Sequence, residues 1–133
     1  MLADPSRCLI DKYICKSKVF TATEKDQTVG VIVLYPLSKR AVEIKNLAVI
    51  SEFRRKGIGL SLIEKAIEIS ILCKYKSIYI GTANSSIGQF YWYQKLGFDL
   101  VKIRRNFFSD HYPEPIYENG LQAKHLLVLK KQL

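Results

Sequence analysis

The sequence predicts a mixed α/β fold, in which a central β-sheet with antiparallel and parallel strands is flanked by helices. Two runs rich in β-branched and aromatic residues, 19–23 and 29–35, flank the polar segment 25–28, which is the pattern of a β-hairpin. Further along the chain, helical and strand patterns alternate. A strand that follows a crossover helix normally runs parallel to its neighbour, so an antiparallel start and a parallel continuation together predict a mixed sheet.

The first half of the chain is expected to hold one helix and three strands. Asp4 followed by Pro5 is typical of a helix start, so we predict a short opening helix that ends near Cys15. The hairpin supplies the first two strands. Residues 41–49 form the third, with Glu43 on the face opposite its apolar neighbours.

A long amphipathic helix opens the second half. Its apolar residues recur at i, i+4, i+8, i+11 and i+15, and they are Ile58, Leu62, Ala66, Ile69 and Cys73. A fourth strand is predicted at residues 77–81, because β-branched and aromatic residues recur there.

An aromatic helix follows the fourth strand. Asn84, Ser85 and Ser86 are candidate caps at its start, and Gly97 suits the left-handed position just after its end at Leu96. A fifth strand at 98–103, a loop at about 107–120 and a sixth strand at 123–129 complete the predicted order.

The composition indicates a single domain that covers residues 1–133. No apolar run approaches the roughly 20 residues needed to cross a bilayer, and the start lacks the pattern of a signal peptide, so we expect a cytoplasmic protein. Cys8, Cys15 and Cys73 show no CxxC spacing, which favours small buried hydrophobes over a disulfide framework or a zinc site. With two histidines in the chain, no metal centre is expected.

The net charge of +9 indicates an anionic partner. Nucleic acid, an anionic membrane surface and a small polyanion are the three classes to consider. Because the lysines and arginines are scattered along the chain, they favour a basic surface with one focused anion site over a nucleic-acid stripe. We therefore expect neither a membrane nor a nucleic acid as the partner.

The candidate anion site is a basic, glycine-containing turn between the third strand and the long helix. It consists of Arg54, Arg55, Lys56, Gly57, Ile58 and Gly59. Glycines at a helix start let backbone N–H groups approach a phosphate, and the positive end of the helix dipole adds to the attraction. A basic turn without a ligand remains the alternative interpretation. A Walker loop is excluded because GxxxxGK[ST] is absent, and Leu62 replaces the third glycine of a dinucleotide fingerprint.

These residues resemble a known family. The pattern Arg54-x-x-Gly57-x-Gly59 resembles the pyrophosphate-binding motif [QR]xxGx[GA] of the GNAT superfamily of N-acetyltransferases, and it lies between a strand and a helix as it does there. Residues 90–98, FYWYQKLGF, are similar to the helix end with the family's YxxxGF pattern. Asn84 stands where an asparagine often contacts the pantetheine arm. The resemblance covers about residues 29–101.

The resemblance implies a GNAT-like fold and acetyl-CoA as cosubstrate, without a metal. The pyrophosphate would lie on the six-residue turn from Arg54 to Gly59. The third and fourth strands would separate, so that the pantetheine arm bonds to the backbone of Leu47, Ala48 and Val49. Asn84 and Tyr91 complete the expected cofactor contacts.

The resemblance also implies direct acetyl transfer to a primary amine in a ternary complex. An amine of pKa about 10.4 is mostly protonated at pH 7, so a base must remove its proton. Glu43 aligns with the catalytic glutamate of the histone acetyltransferase branch; the alternatives are a surface ion pair with Lys45 or Lys102, or a bound water as base. Tyr93 matches the acid that returns a proton to the thiolate, unless it is a core residue or Tyr91 serves instead.

Two features concern the acceptor. About 17 residues precede the hairpin, which implies that the family's first strand and one helix are missing and that a partner subunit in a homodimer could complete the pocket.

The loop at 109–120 combines carboxylates and aromatic rings in a basic chain, so His111, Tyr112, Glu114 and Glu118 are candidate contacts for a cationic amine. The alternatives are a loop that serves packing and a chain that acts as a non-catalytic acyl-CoA sensor or interaction module.

Overall fold

The computed structural model describes residues 18–54 and 57–133. The predicted opening helix, with Cys8 and Cys15, and the positions Arg55 and Lys56 lie outside the described residues. The elements are β1 (Lys18–Glu24), β2 (Gln27–Pro36), β3 (Ala41–Val49), a 3-10 turn (Ser51–Phe53), α1 (Ile58–Leu72), β4 (Ser77–Ala83), α2 (Ile87–Lys95), β5 (Asp99–Arg104), α3 (Phe107–His111), β6 (Tyr117–Glu118), β7 (Leu121–Gln122) and β8 (Leu126–Gln132).

The strands form a six-stranded sheet in the order β1-β2-β3-β4-β8-β5, and β6 and β7 form a separate small sheet. The pairs β1/β2, β2/β3 and β5/β8 are antiparallel. The chain divides into two compact units at β4: the first ends at Ile78 and includes Leu133, and the second is Tyr79–Gln132.

In the first unit, the β1–β2 hairpin has a tighter turn than predicted. Lys25 and Asp26 both have positive φ, 51° and 65°, as a two-residue turn between twisted strands requires. Gln27 and Thr28 are already paired with β1. The predicted four-residue turn at 25–28 is therefore wrong in extent.

The β2–β3 pair contains a β-bulge. Val33 pairs with Asn46 and Leu34 pairs with Ile44, so Lys45 is the extra residue on β3. The register also pairs Tyr35 with Glu43. Because paired residues of neighbouring strands share a face, Tyr35 and Glu43 lie together on one side of these strands.

Helix α1 packs on β2 and β3 through its buried residues Leu62, Ile63, Ala66 and Ser70. The approach is close at Gly30, where an added Cβ would lie 3.0 Å from Leu62 Cδ1 and 3.1 Å from Ile58 Cγ2. The prediction that Cys73 is a buried hydrophobe is wrong. Cys73 is exposed because the helix ends at Leu72 and leaves it at the C-cap.

In the second unit, α2 starts at Ile87 and ends with Gly97 at φ 97°, as predicted for a left-handed position. The segment predicted as a loop at 107–120 contains helix α3 and strand β6, and β6 pairs with β7 just beyond it at Leu121–Gln122. Asn119 and Gly120 form the hairpin turn, both at positive φ. The Asn-Gly dipeptide is the sequence signal that could have predicted this hairpin.

Candidate functional site

In the first unit, the start of α1 has the backbone features of an anion site. Gly57 is the N-cap at φ 80°, and a Cβ at this position would meet nothing within 4 Å. The first intrahelical bond runs from the Ser61 N–H to the Gly57 carbonyl, so the amides of Ile58, Gly59 and Leu60 have no partner within the helix. Positive helix ends with such amides bind phosphates, and the first turn contains no acidic residue to oppose one.

Arg54 links this turn to the end of β3. Its Nε donates a hydrogen bond to the Val49 carbonyl at 3.0 Å. Arg54 is exposed, and this bond holds its guanidinium at the end of β3, three residues before the N-cap Gly57. On β3 itself, Leu47 and Val49 are buried and Ala48 is half-buried, paired with Ile32, Gly30 and Val31 of β2.

Glu43 forms an ion pair with Lys45. Lys45 Nζ lies 2.9 Å from Glu43 Oε1, and the two side chains are 33% and 18% exposed. The same ammonium lies 5.7 Å from the centroid of the Tyr35 ring. The predicted ion-pair partner is thus Lys45, and the carboxylate of Glu43 holds a primary ammonium at hydrogen-bond distance.

In the second unit, Tyr93 faces the core and Tyr91 faces solvent. The Tyr93 ring is 3% exposed and packs against Trp92 and Phe98, with centroids 5.5 and 6.3 Å away. Burial raises the pKa of the Tyr93 phenol well above its usual range. Tyr91 is 62% exposed, and Lys95 Nζ lies 5.4 Å from its ring. Of the two candidate acids, Tyr93 is the one in an apolar environment.

Asn84 joins the end of β4 to the segment before β8. Its Oδ1 accepts hydrogen bonds from the N–H groups of Lys124 at 2.8 Å and His125 at 2.9 Å. Its Nδ2 donates to the Gln122 carbonyl at 3.1 Å. These partners are about 40 residues away in sequence, so no local pattern predicts this link.

The neighbouring serines are tied to the β6–β7 hairpin instead of capping α2. Ser86 makes no side-chain bond to the helix start, and its hydroxyl donates to Glu118 Oε1 at 2.6 Å. Asn119 Nδ2 donates to the Ser85 carbonyl at 2.7 Å. Ser86 thus occupies the predicted N-cap position, but the expected side-chain cap bond is absent, and its hydroxyl donates to the carboxylate of Glu118.

Two of the four candidate acceptor residues line a common cavity of about 100 Å³ in the second unit. These are Tyr112 and Glu114. His111 instead stacks on Phe107, with ring centroids 4.4 Å apart. Glu118 accepts the hydrogen bond from Ser86. The pKa of Glu118 lies below its ordinary value: partial burial raises this pKa, whereas the Ser86 hydrogen bond contributes to lowering it.

Across residues 18–54 and 57–133, no cluster of three or more His, Cys, Asp or Glu side chains could hold a metal ion. Within the same residues, no helix is long and apolar enough to cross a membrane.

Comparisons with known proteins agree on one family. Residues 15–100 match the model of the GNAT acetyltransferase domain. The chain is 41% identical to the uncharacterized N-acetyltransferase YvbK of Bacillus subtilis over 97% of this chain and 83% of that protein.

Two solved structures share the fold. A GNAT family acetyltransferase from Elizabethkingia anophelis, solved with acetyl-CoA bound, is 44% identical with a TM-score of 0.96, covering 98% of this chain and 86% of that one. A Bacillus subtilis acetyltransferase in complex with CoA is 40% identical with a TM-score of 0.92 over the same shares. The predicted fold, a mixed six-stranded sheet flanked by helices, is confirmed.

Proposed function

Since this chain belongs to the GNAT family of acetyltransferases, we propose that it transfers the acetyl group of acetyl-CoA directly to a primary amine in a ternary complex. The geometry at the start of α1 is the observation that supports this proposal most directly. Its left-handed Gly57, its amides without partners in the helix and its open surface suit the pyrophosphate of acetyl-CoA. The relatives solved with acetyl-CoA or CoA support the same ligand.

In this proposal, β3 contributes the backbone of Leu47, Ala48 and Val49 to the pantetheine arm, and a backbone N–H near Leu47 or Ala48 stabilises the developing oxyanion. Arg54 holds the turn against Val49 and adds positive charge beside the phosphates. Arg55 and Lys56, by the motif, add further charge. The hydrogen bonds of Asn84 to residues 122–125 support a structural role for it, and a contact of Asn84 with the cofactor arm remains the weaker hypothesis.

We assign proton removal from the amine to Glu43. Its partly exposed carboxylate already binds one primary ammonium, that of Lys45, at the distance a general base needs. We assign proton return to the thiolate to Tyr93, which matches the acid of the family's YxxxGF pattern and is buried in α2. Tyr91, on the exposed side of α2, is the less suitable acid.

The acceptor in this proposal binds at the cavity next to Tyr112 and Glu114. A carboxylate and an aromatic ring together favour a cationic amine. A homodimer that completes this pocket is part of the same hypothesis, as is a cytoplasmic location. The competing function is a non-catalytic acyl-CoA sensor, which would bind acetyl-CoA without turnover.

Thermal unfolding with and without acetyl-CoA tests the ligand. At a hundredfold excess over Kd, binding adds about 2.7 kcal/mol to the free energy of unfolding, a rise in Tm of roughly 8 °C at about 3 °C per kcal/mol. Gly57→Asp should abolish the rise, because it places a carboxylate where the phosphates bind. Gly120→Asp is the matched control: Gly120 also has positive φ, 75°, and open space around a Cβ.

An unchanged Tm of the wild-type protein at saturating acetyl-CoA would refute the proposal. A second assay measures release of the CoA thiol with a panel of primary amines that begins with spermidine, lysine and glucosamine. A rise in Tm without thiol release would favour the non-catalytic acyl-CoA sensor.

A further inference from the structure

We propose that Lys45 is a self-acetylation site: without an amine acceptor, the protein transfers the acetyl group of bound acetyl-CoA to Nζ of its own Lys45. This inference rests on the proposed function, in which Glu43 is the general base. Lys45 would carry an acetyl group, and it would serve as the acceptor when no other amine is bound.

The position of the ammonium carries the inference. A general base must lie within about 2.6–3.2 Å of the group whose proton it removes, or reach it through one water. Lys45 Nζ lies 2.9 Å from Glu43 Oε1. If Glu43 accepts the proton of the acceptor amine, the Lys45 ammonium occupies the place that this amine must take.

The backbone places Lys45 beside the proposed acetyl position. Lys45 is the extra residue of the β-bulge and precedes by two residues Leu47, near which the oxyanion is proposed to bind. The Lys45 side chain is one-third exposed. An amine that is attached to the same strand reacts without a bimolecular encounter, which raises its effective concentration by orders of magnitude.

The step balances without a further reagent. The Lys45 ammonium gives a proton to Glu43, and the neutral nitrogen forms a bond to the thioester carbonyl carbon. The carbon–sulfur bond breaks, the thiolate takes a proton to become free CoA, and the new amide nitrogen releases its second proton to solvent. Because acetyl-Lys45 is a neutral amide, it can neither react again nor form the ion pair, so the reaction stops at one acetyl group per chain at this site.

The experiment is incubation of the purified protein with acetyl-CoA and no added amine, followed by intact mass and peptide mapping over time. Lys65 is the internal control, because it also has a carboxylate within 4 Å, Glu68 at 3.8 Å, but its side chain is 54% exposed on α1. Spontaneous acetylation would modify Lys65 at least as fast as Lys45. We expect Lys45 to be modified at least tenfold faster, at a first-order rate that does not change with protein concentration.

Two variants test the mechanism. Glu43→Gln should slow modification of Lys45 by about 10²–10⁴-fold, the range typical of a general base, while that of Lys65 stays the same. Lys45→Arg keeps a cation beside Glu43 and should remove the fast mass increase. Equal rates at Lys45 and Lys65, a rate at Lys45 that rises with protein concentration, or an unchanged rate in Glu43→Gln would each overturn the inference.

The outcome is separable from that of the proposed function. If acetyl-CoA raises Tm and added amines are acetylated while Lys45 stays unmodified, this inference alone fails. If acetyl-CoA does not raise Tm, the proposed function fails and this inference fails with it.

Discussion

Replacement of Asn84 by alanine should lower the stability of the fold, because this side chain joins β4 to the segment before β8. It makes three hydrogen bonds, to the backbone of Gln122, Lys124 and His125 at 3.1, 2.8 and 2.9 Å. At about 0.5–1.5 kcal/mol for each net bond, their loss amounts to roughly 1.5–4.5 kcal/mol. The N–H of the exposed Lys124 can bond to water instead, so we expect about 2–3 kcal/mol.

The measurement is urea unfolding at equilibrium, followed by circular dichroism. Asn84→Asp keeps the acceptor for both N–H groups but places an oxygen against the Gln122 carbonyl, so it should cost less than Asn84→Ala if the two accepted bonds outweigh that repulsion. Gln94→Ala is the matched control, because Gln94 makes one exposed hydrogen bond to the carbonyl of Phe90 within its own helix. Its effect should stay within about 0.5 kcal/mol.

A free energy of unfolding of Asn84→Ala within 0.5 kcal/mol of wild type would refute the role of Asn84 in stability, since this margin is about the size of one weak hydrogen bond. If the same variant then bound acetyl-CoA much more weakly, Asn84 would be the cofactor contact that the family resemblance implies.

Three further predictions concern the proposed site. Tyr93→Phe should lower kcat with acetyl-CoA affinity unchanged, and wild-type kcat in this variant would contradict the assignment of Tyr93 as the acid. Because burial raises the pKa of Tyr93, this group should cause no loss of wild-type kcat until the pH passes its ordinary value of about 10; an earlier loss that Tyr93→Phe removes would show that its pKa is not raised. Gly30→Ala should cost about 1–3 kcal/mol in urea unfolding, because its methyl group would crowd α1; wild-type stability would show that the helix can shift. Glu114→Gln should raise the KM of the amine, because Glu114 lines the cavity. Glu118→Ala should instead lower the free energy of unfolding by about 1–3 kcal/mol, because the Ser86 bond is lost. A raised KM in Glu118→Ala with an unchanged KM in Glu114→Gln would place acceptor binding at Glu118.

The sequence by itself determined the parts of the fold that depend on local patterns. Strand β3 has the predicted bounds, Ala41–Val49, and α1 begins at Ile58 as predicted, with Leu62 and Ala66 of the predicted stripe buried. The anion site proposed at residues 54–59 could be predicted from the sequence because the start of a helix is formed by consecutive residues. The left-handed Gly97 was also predicted, since the conformation of a helix end depends on the residue itself.

Only the tertiary structure decided which distant groups meet. The lysine beside Glu43 is Lys45, because the strand and its bulge bring the two side chains together. Of two aromatic residues on one short helix, Tyr93 is buried and Tyr91 exposed, since the helix orientation depends on its packing. Ser86 bonds to Glu118, 32 residues away, and Asn84 to residues about 40 away. A local sequence pattern shows which hydrogen-bonding groups are present. Which of them become partners depends on how the whole chain folds.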